Sequence, residues 1–170
     1  PDGYTILQNT NGQAISPAIY RALPFDVVRD FIPVTQLVAS QLVLAASPKL
    51  PATSVGELIA LAKAKPGTLS YGTFSFVLVQ FMEKLKRTHG IDIVRVPFRG
   101  GGELVNAVLA GSTPISLLAL SNMMPQLQSG RITLLAVNST ARTPLFPDVP
   151  TLAEARPGEA YPPTWFGLFT

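Results

Sequence analysis

Three short loops carry the residues best suited to chemistry: Asn9-Thr10-Asn11-Gly12, Gly72-Thr73-Phe74-Ser75 and Arg99-Gly100-Gly101-Gly102. Each follows an apolar stretch and leads into a segment with helical spacing. A helix start has unpaired N–H groups and a partial positive charge, so such a loop suits an anion. Gly101 and Gly102 allow a ligand to approach the main chain closely. Asn11, Thr73 and Ser75 add side-chain hydrogen-bonding groups. Arg99 has the fork geometry to hold a carboxylate through two bonds, although an arginine after a strand also serves to cover a sheet edge or lies in solvent. Ordinary strand-to-helix turns need the same residue types, and spacing alone leaves both roles open.

Catalytic sets are poor. The one histidine, His89, falls at a helix end, which suits a dipole contact or solvent better than a general base. The acids show no metal-ligand spacing. There is no Gly-x-Ser-x-Gly elbow and no phosphate-binding Walker loop. Gly100-Gly101-Gly102 has no accompanying nucleophile. No cofactor and no metal is expected. Phe74, Phe76, Phe98 and Trp165 read as core or site wall rather than as a base-stacking set.

Composition sets the frame. The chain has 170 residues, 47% hydrophobic and 14% charged, with net charge +3. It can bury a substantial core, in one domain or two small lobes. Its basic residues are scattered over helical segments, without the concentrated face that nucleic acid requires. With no cysteine, disulfides, cysteine-based zinc sites and thiol nucleophiles are excluded. No apolar run reaches the ~18–20 residues of a membrane span. Pro1 stands where a methionine would start a chain, and the run from Trp165 to Thr170 ends abruptly; further sequence is expected at both ends.

The elements that must position the loops follow from period and punctuation. Tyr4 to Gln8 reads as a buried strand, and Ser16-Pro17 as a helix start. Phe31 to Val38 and Gln41 to Ala46 read as strands, the second apolar throughout. Ser54 and Glu57 form a capping box for a helix ending near Lys65, stopped by Pro66-Gly67. Strands at Leu69–Tyr71, Ile93–Val96, Pro114–Leu120 and Ile132–Val137 then alternate with helices at Phe76–Thr88, Glu103–Ala110 and Asn122–Gln128, the last capped by Ser121. This alternation predicts a parallel sheet with helices on its faces. The proline-rich stretch from Thr140 reads as a connection rather than core.

Several segments, in order along nearly the whole chain, resemble one family. They are Pro1-Asp2-Gly3-Tyr4-Thr5; Leu23-Pro24-Phe25-Asp26 with Asp30-Phe31-Ile32-Pro33-Val34; Glu57-Leu58-Ile59-Ala60 with Lys65-Pro66-Gly67; Val96-Pro97-Phe98-Arg99-Gly100; and Arg142 with Pro147-Asp148-Val149-Pro150-Thr151-Leu152-Ala153-Glu154. They are similar to the Bug or TctC-like extracytoplasmic solute receptors of tripartite tricarboxylate transporters. The resemblance implies an α/β fold of the type II periplasmic-binding-protein kind, with two lobes around a cleft. Residues 1–45 would belong to lobe 1, 46–140 to lobe 2, and 141–170 to the return. It implies a periplasmic protein that is not an enzyme, with a small carboxylate as ligand and a membrane permease as partner. The ligand residues would be Thr10, Asn11, Gly12, Gly72, Thr73, Phe74, Ser75, Arg99, Gly101 and Gly102. This chain departs from the family in having bulky Phe74, Phe76 and Val77 where small residues are usual, and Val79-Gln80 near the place of a histidine. A bulkier, more apolar pocket is implied. A sensor of the same fold without transport and an α/β transferase are the competing expectations.

Overall fold

The computed structural model describes residues 4–156 and 164–170. In chain order the elements are β1 (Leu7–Thr10), α1 (Gly12–Ile19), β2 (Pro33–Ser40), β3 (Leu42–Ala46), α2 (Val55–Ala64), β4 (Ser70–Thr73) and α3 (Phe76–His89). Then follow β5 (Val94–Pro97), α4 (Gly101–Ala110), β6 (Ile115–Ala119), α5 (Leu120–Gln128), β7 (Thr133–Asn138), α6 (Leu152–Ala155) and β8 (Thr164–Phe169). The chain divides into two compact units, one holding β1, α1, β2 and β8, the other starting at Gln41. Among the described residues no helix is long and apolar enough to cross a membrane.

The larger unit is a five-stranded sheet, ordered β5-β4-β6-β3-β7, with helices on both faces. Its core begins with β3, whose five residues are all buried. Successive side chains of a strand point to opposite faces. Leu42, Leu44 and Ala46 accordingly join one core with Leu58 of α2 and Phe81, Met82 and Leu85 of α3. Val43 and Ala45 join the other, with Leu104 and Val108 of α4 and Met123 of α5.

The expected all-parallel sheet is corrected here. β4 pairs in parallel with β5 and β6, but β3 runs antiparallel to both β6 and β7. Leu42 lies opposite Ala119 and Asn138, the last residues of β6 and β7, so the chain enters this sheet at the edge where its neighbours finish. An apolar run reports that a strand is buried on both faces and carries no information about its direction.

Helix boundaries follow their caps. The Ser54 hydroxyl accepts from the Glu57 amide at 3.2 Å. The Glu57 carboxylate turns chiefly to the amide and hydroxyl of Thr53, at 2.7 and 2.8 Å, with the Ser54 amide of the expected capping box a weaker partner. α3 and α4 end at Gly90 and Gly111, both left-handed at φ 61° and 78°. α5 starts at Leu120 with Ala119 before it, so Ser121 lies inside the helix instead of capping it.

The proline-rich stretch after Thr140 is not merely a connection. Thr143, Thr151 and Leu152 are buried. Thr151 caps α6 and the Glu154 carboxylate returns to the Thr151 amide at 2.7 Å. Arg142 Nε donates to both Glu154 oxygens, at 3.1 and 3.0 Å, and Nη1 donates to the Pro147 carbonyl. The Val137 amide donates to the Pro150 carbonyl, fastening this segment beside β7.

In the smaller unit β8 lies between β1 and β2, antiparallel to both. The buried strand expected at Tyr4–Gln8 is instead β1 at Leu7–Thr10, and Tyr4 is exposed. The helix expected to start at Ser16-Pro17 begins at Gly12 and holds Pro17 inside. Proline there removes a bond to the Gln13 carbonyl; the Ser16 hydroxyl supplies one instead, at 2.7 Å. The turn from Phe25 to Phe31 is self-capped. Asp26 accepts from the amides of Val28 and Arg29, Asp30 accepts from the Asp26 amide, and the two rings meet edge-on at 5.4 Å.

The packing sets two expectations. A Cβ on Gly72 would lie 2.0 Å from Leu104 Cδ1, whereas one on Gly90 meets nothing within 4 Å. Gly72→Ala should destabilise by about 1–3 kcal/mol through overpacking, and combination with Leu104→Val should cost less than the sum. Gly90→Ala should cost about 1–2 kcal/mol from backbone conformation alone and add independently of Leu104→Val. Urea unfolding of the singles and doubles checks this. The Thr151 amide, and after it the Arg142 guanidinium, holds the Glu154 carboxyl below its ordinary range. A depressed acid contributes stability above its unfolded pKa, ~4.3, and loses it as pH falls through the folded value. The gap in urea midpoint between wild type and Glu154→Gln should therefore be full at pH 7 and close below about pH 4.

Candidate functional site

Three helices of the larger unit start at one edge of the sheet, where β4, β5 and β6 end. The first bond at the start of α3 runs from the Val79 amide to the Ser75 carbonyl, and at α4 from the Leu104 amide to the Gly100 carbonyl. The amides of Phe76, Val77 and Leu78, and of Gly101, Gly102 and Glu103, precede those bonds and point off the helix ends. α4 and α5 begin side by side: a Cβ on Gly101 would lie 2.5 Å from Asn122 Nδ2. The arrangement offers main-chain donors and partial positive charge to an anion at this edge.

The candidate residues differ in what they have left to offer. Gly72 is buried within β4, and its missing side chain is explained by Leu104 and Phe98 packed against it. Thr73 is also buried; its hydroxyl donates to the Ser75 carbonyl at 3.0 Å and accepts from the Ser75 amide at 3.4 Å. That pair sets the entry into α3 and occupies the Ser75 amide. The Ser75 side chain caps nothing. Phe74 is exposed. The Arg99 amide donates to Glu103 Oε2 at 3.0 Å, which sets a carboxylate in the first turn of α4. That negative charge opposes an anion there, and spacing alone gave no sign of it. Gly102 is exposed, with open space where a Cβ would stand.

The loop of the smaller unit has its own geometry. Thr10 Oγ1 accepts from the Gly12 amide at 3.1 Å, and the Asn11 amide donates to the Trp165 carbonyl at 3.3 Å. Asn11 Oδ1, both amide atoms of Gln13 and the Thr164 hydroxyl are buried with no hydrogen-bond partner among the described residues. Unsatisfied buried polar atoms are costly, and they gather here at the start of α1 and of β8. Gln13 was not among the residues picked from sequence; a lone glutamine inside an amphipathic helix gives no signal.

Arg95 was missed as well. It and Pro97, both on β5, line a pocket with Thr73, Phe74, Ser75, Phe76, Val79 and Phe98. Among the described residues no group of three or more His, Cys, Asp or Glu is placed to hold a metal ion.

Comparison with known proteins bears on this geometry. A family model, "Tripartite tricarboxylate transporter family receptor", matches residues 1–170. A UPF0065 protein of Bordetella pertussis is 32% identical over 172 residues, covering 99% of this chain and 53% of that protein. Protein BugT of the same organism is 30% identical, covering 98% and 52%. The chain thus spans about half the length of the curated relatives it matches. Among solved structures, one described as a periplasmic transporter superposes with TM-score 0.90 at 35% identity, over 100% of this chain and 58% of that one. R. palustris Rpa4515, solved with adipate, gives 0.88 at 30% identity, over 99% and 57%. MatC from Rhodopseudomonas palustris, solved with bound malate, gives 0.86 at 26% identity, over 100% and 59%.

The α3 entry can be tested directly. Thr73→Val keeps the side-chain shape and removes both bonds to Ser75, so it should destabilise by about 1–2 kcal/mol in urea unfolding. An unchanged midpoint would mean that the hydroxyl does not hold this turn.

Proposed function

We propose, since this chain belongs to the tripartite tricarboxylate transporter receptor family, that it captures a small carboxylate in the periplasm and delivers it unreacted to a membrane permease. The observation that carries this reading is the gathering of free amides at the starts of α3 and α4 on one sheet edge. A carboxylate there would accept from the Gly102 amide and the first-turn amides of α3, with the Ser75 hydroxyl as a further donor. Each charge-assisted bond contributes about 1.5–3 kcal/mol, so three or four suffice for micromolar binding against the cost of association. Such a site recognises charge and shape and needs no nucleophile or general base. The adipate and malate of the two R. palustris structures are ligands of the class proposed.

The role of Asn11, Gln13 and Thr164 follows the same logic. Their buried, unpartnered atoms would find partners in a bound ligand or in ordered water. Titration calorimetry of the protein against malate, adipate, succinate and benzoate tests the proposal. It predicts one-site binding of at least one carboxylate with a Kd of about 1 μM, or about −8 kcal/mol. Heats at the level of dilution for every carboxylate would refute it.

A further inference from the structure

The first turn of α3 and the edge strand β5 border an open pocket of about 290 Å³, at the small end of the range for ligand sites. Its apolar walls are Phe74, Phe76, Val79, Pro97 and Phe98, and Arg95 is the one charged side chain that lines it. Phe74, in the turn before α3, and Phe76, at its start, are 42% and 45% exposed, although α3 buries Leu78, Phe81, Met82 and Leu85. Phenylalanine left in water at a concave surface is the informative departure, since a core had room for the rest of the helix.

Arg95 is placed to serve this pocket. It is in register with Tyr71 on the neighbouring parallel strand, so the two side chains share a sheet face. That face is covered by α3, because the Tyr71 hydroxyl donates to Glu83 Oε1 at 2.9 Å. Glu83 also takes Lys86, at 3.1 Å. Arg95 forms no ion pair among the described residues. A guanidinium without an acid therefore stands at the rim of a phenyl-lined hollow, and the Ser75 hydroxyl, which caps nothing, also lines it.

We infer that this pocket takes the ring of an aromatic monocarboxylate, with Arg95 holding its carboxylate. The inference rests on the receptor reading and narrows its ligand class. Edge-to-face contact with Phe74, Phe76 or Phe98 favours a ring. The planar arginine fork matches a carboxylate through two parallel bonds. A short dicarboxylate has no ring to set against these walls, and Arg95 is the one charged side chain there to meet its two carboxylates.

The experiment is titration calorimetry of wild type, Arg95→Gln and Phe74→Ser with benzoate, phenylacetate, malate and adipate. Benzoate or phenylacetate is expected to bind at least tenfold more tightly than malate. Arg95→Gln should weaken that binding at least tenfold, and Phe74→Ser should weaken it as well. Both positions are exposed, so the unfolding midpoints should match wild type. Tighter binding of malate or adipate, or an aromatic affinity that Arg95→Gln leaves unchanged, overturns the inference and leaves the receptor reading standing. Binding of no carboxylate at all removes the receptor reading, and the inference with it.

Discussion

Everything in the larger unit is arranged around β3. Five consecutive residues are buried on both faces and pair antiparallel with β6 on one side and β7 on the other. A strand in that position can hold no polar side chain without a partner, which is why Leu42 to Ala46 is an unbroken apolar run. Its side chains divide between two cores, one fastening α2, α3 and α6 to the sheet and the other α4 and α5. β4, β5 and β6 then share one direction, so α3, α4 and α5 all begin on the same edge. The opposite edge receives the chain from the left-handed glycines Gly67, Gly90 and Gly111. Main-chain donors and apolar turns are thereby sorted to different ends of one sheet.

The sequence carried some of this plainly and some not at all. α2 and α3 were legible because their caps and stops are local chemistry: Ser54 at one start, Gly90 at the other end. The strand β3 was legible as buried but not as antiparallel, because burial fixes composition and leaves polarity to the connections. Proline concealed the Arg142–Glu154 clip. Side-chain bonds across twelve residues leave no period to read, and prolines suggest a loop even where Thr151 and Leu152 are buried. In the smaller unit the start of α1 was misplaced because Ser16-Pro17 imitates a helix start, whereas the serine repairs the bond that the proline breaks.

Site residues were harder still. Glycine, serine and threonine serve packing and ligand contact alike, and only neighbours decide between them. Leu104 accounts for Gly72, the turn into α3 accounts for the Thr73 hydroxyl, and open space remains at Gly102. Charge placement was hidden by distance in sequence. Glu103 brings a carboxylate to α4 through the Arg99 amide, and Arg95 brings a cation to α3 from a different element. The two helix starts are thus electrostatically unequal, and α3 is the better host for an anion.

Backbone-amide NMR of the protein titrated with benzoate tests that inequality most directly. The account predicts the largest shift changes at Phe76 and Val77 and smaller ones at Gly101 and Gly102, with the amides beside Gly67, Gly90 and Gly111 unmoved. Changes centred on those glycine turns, or spread evenly over the sheet, would contradict it.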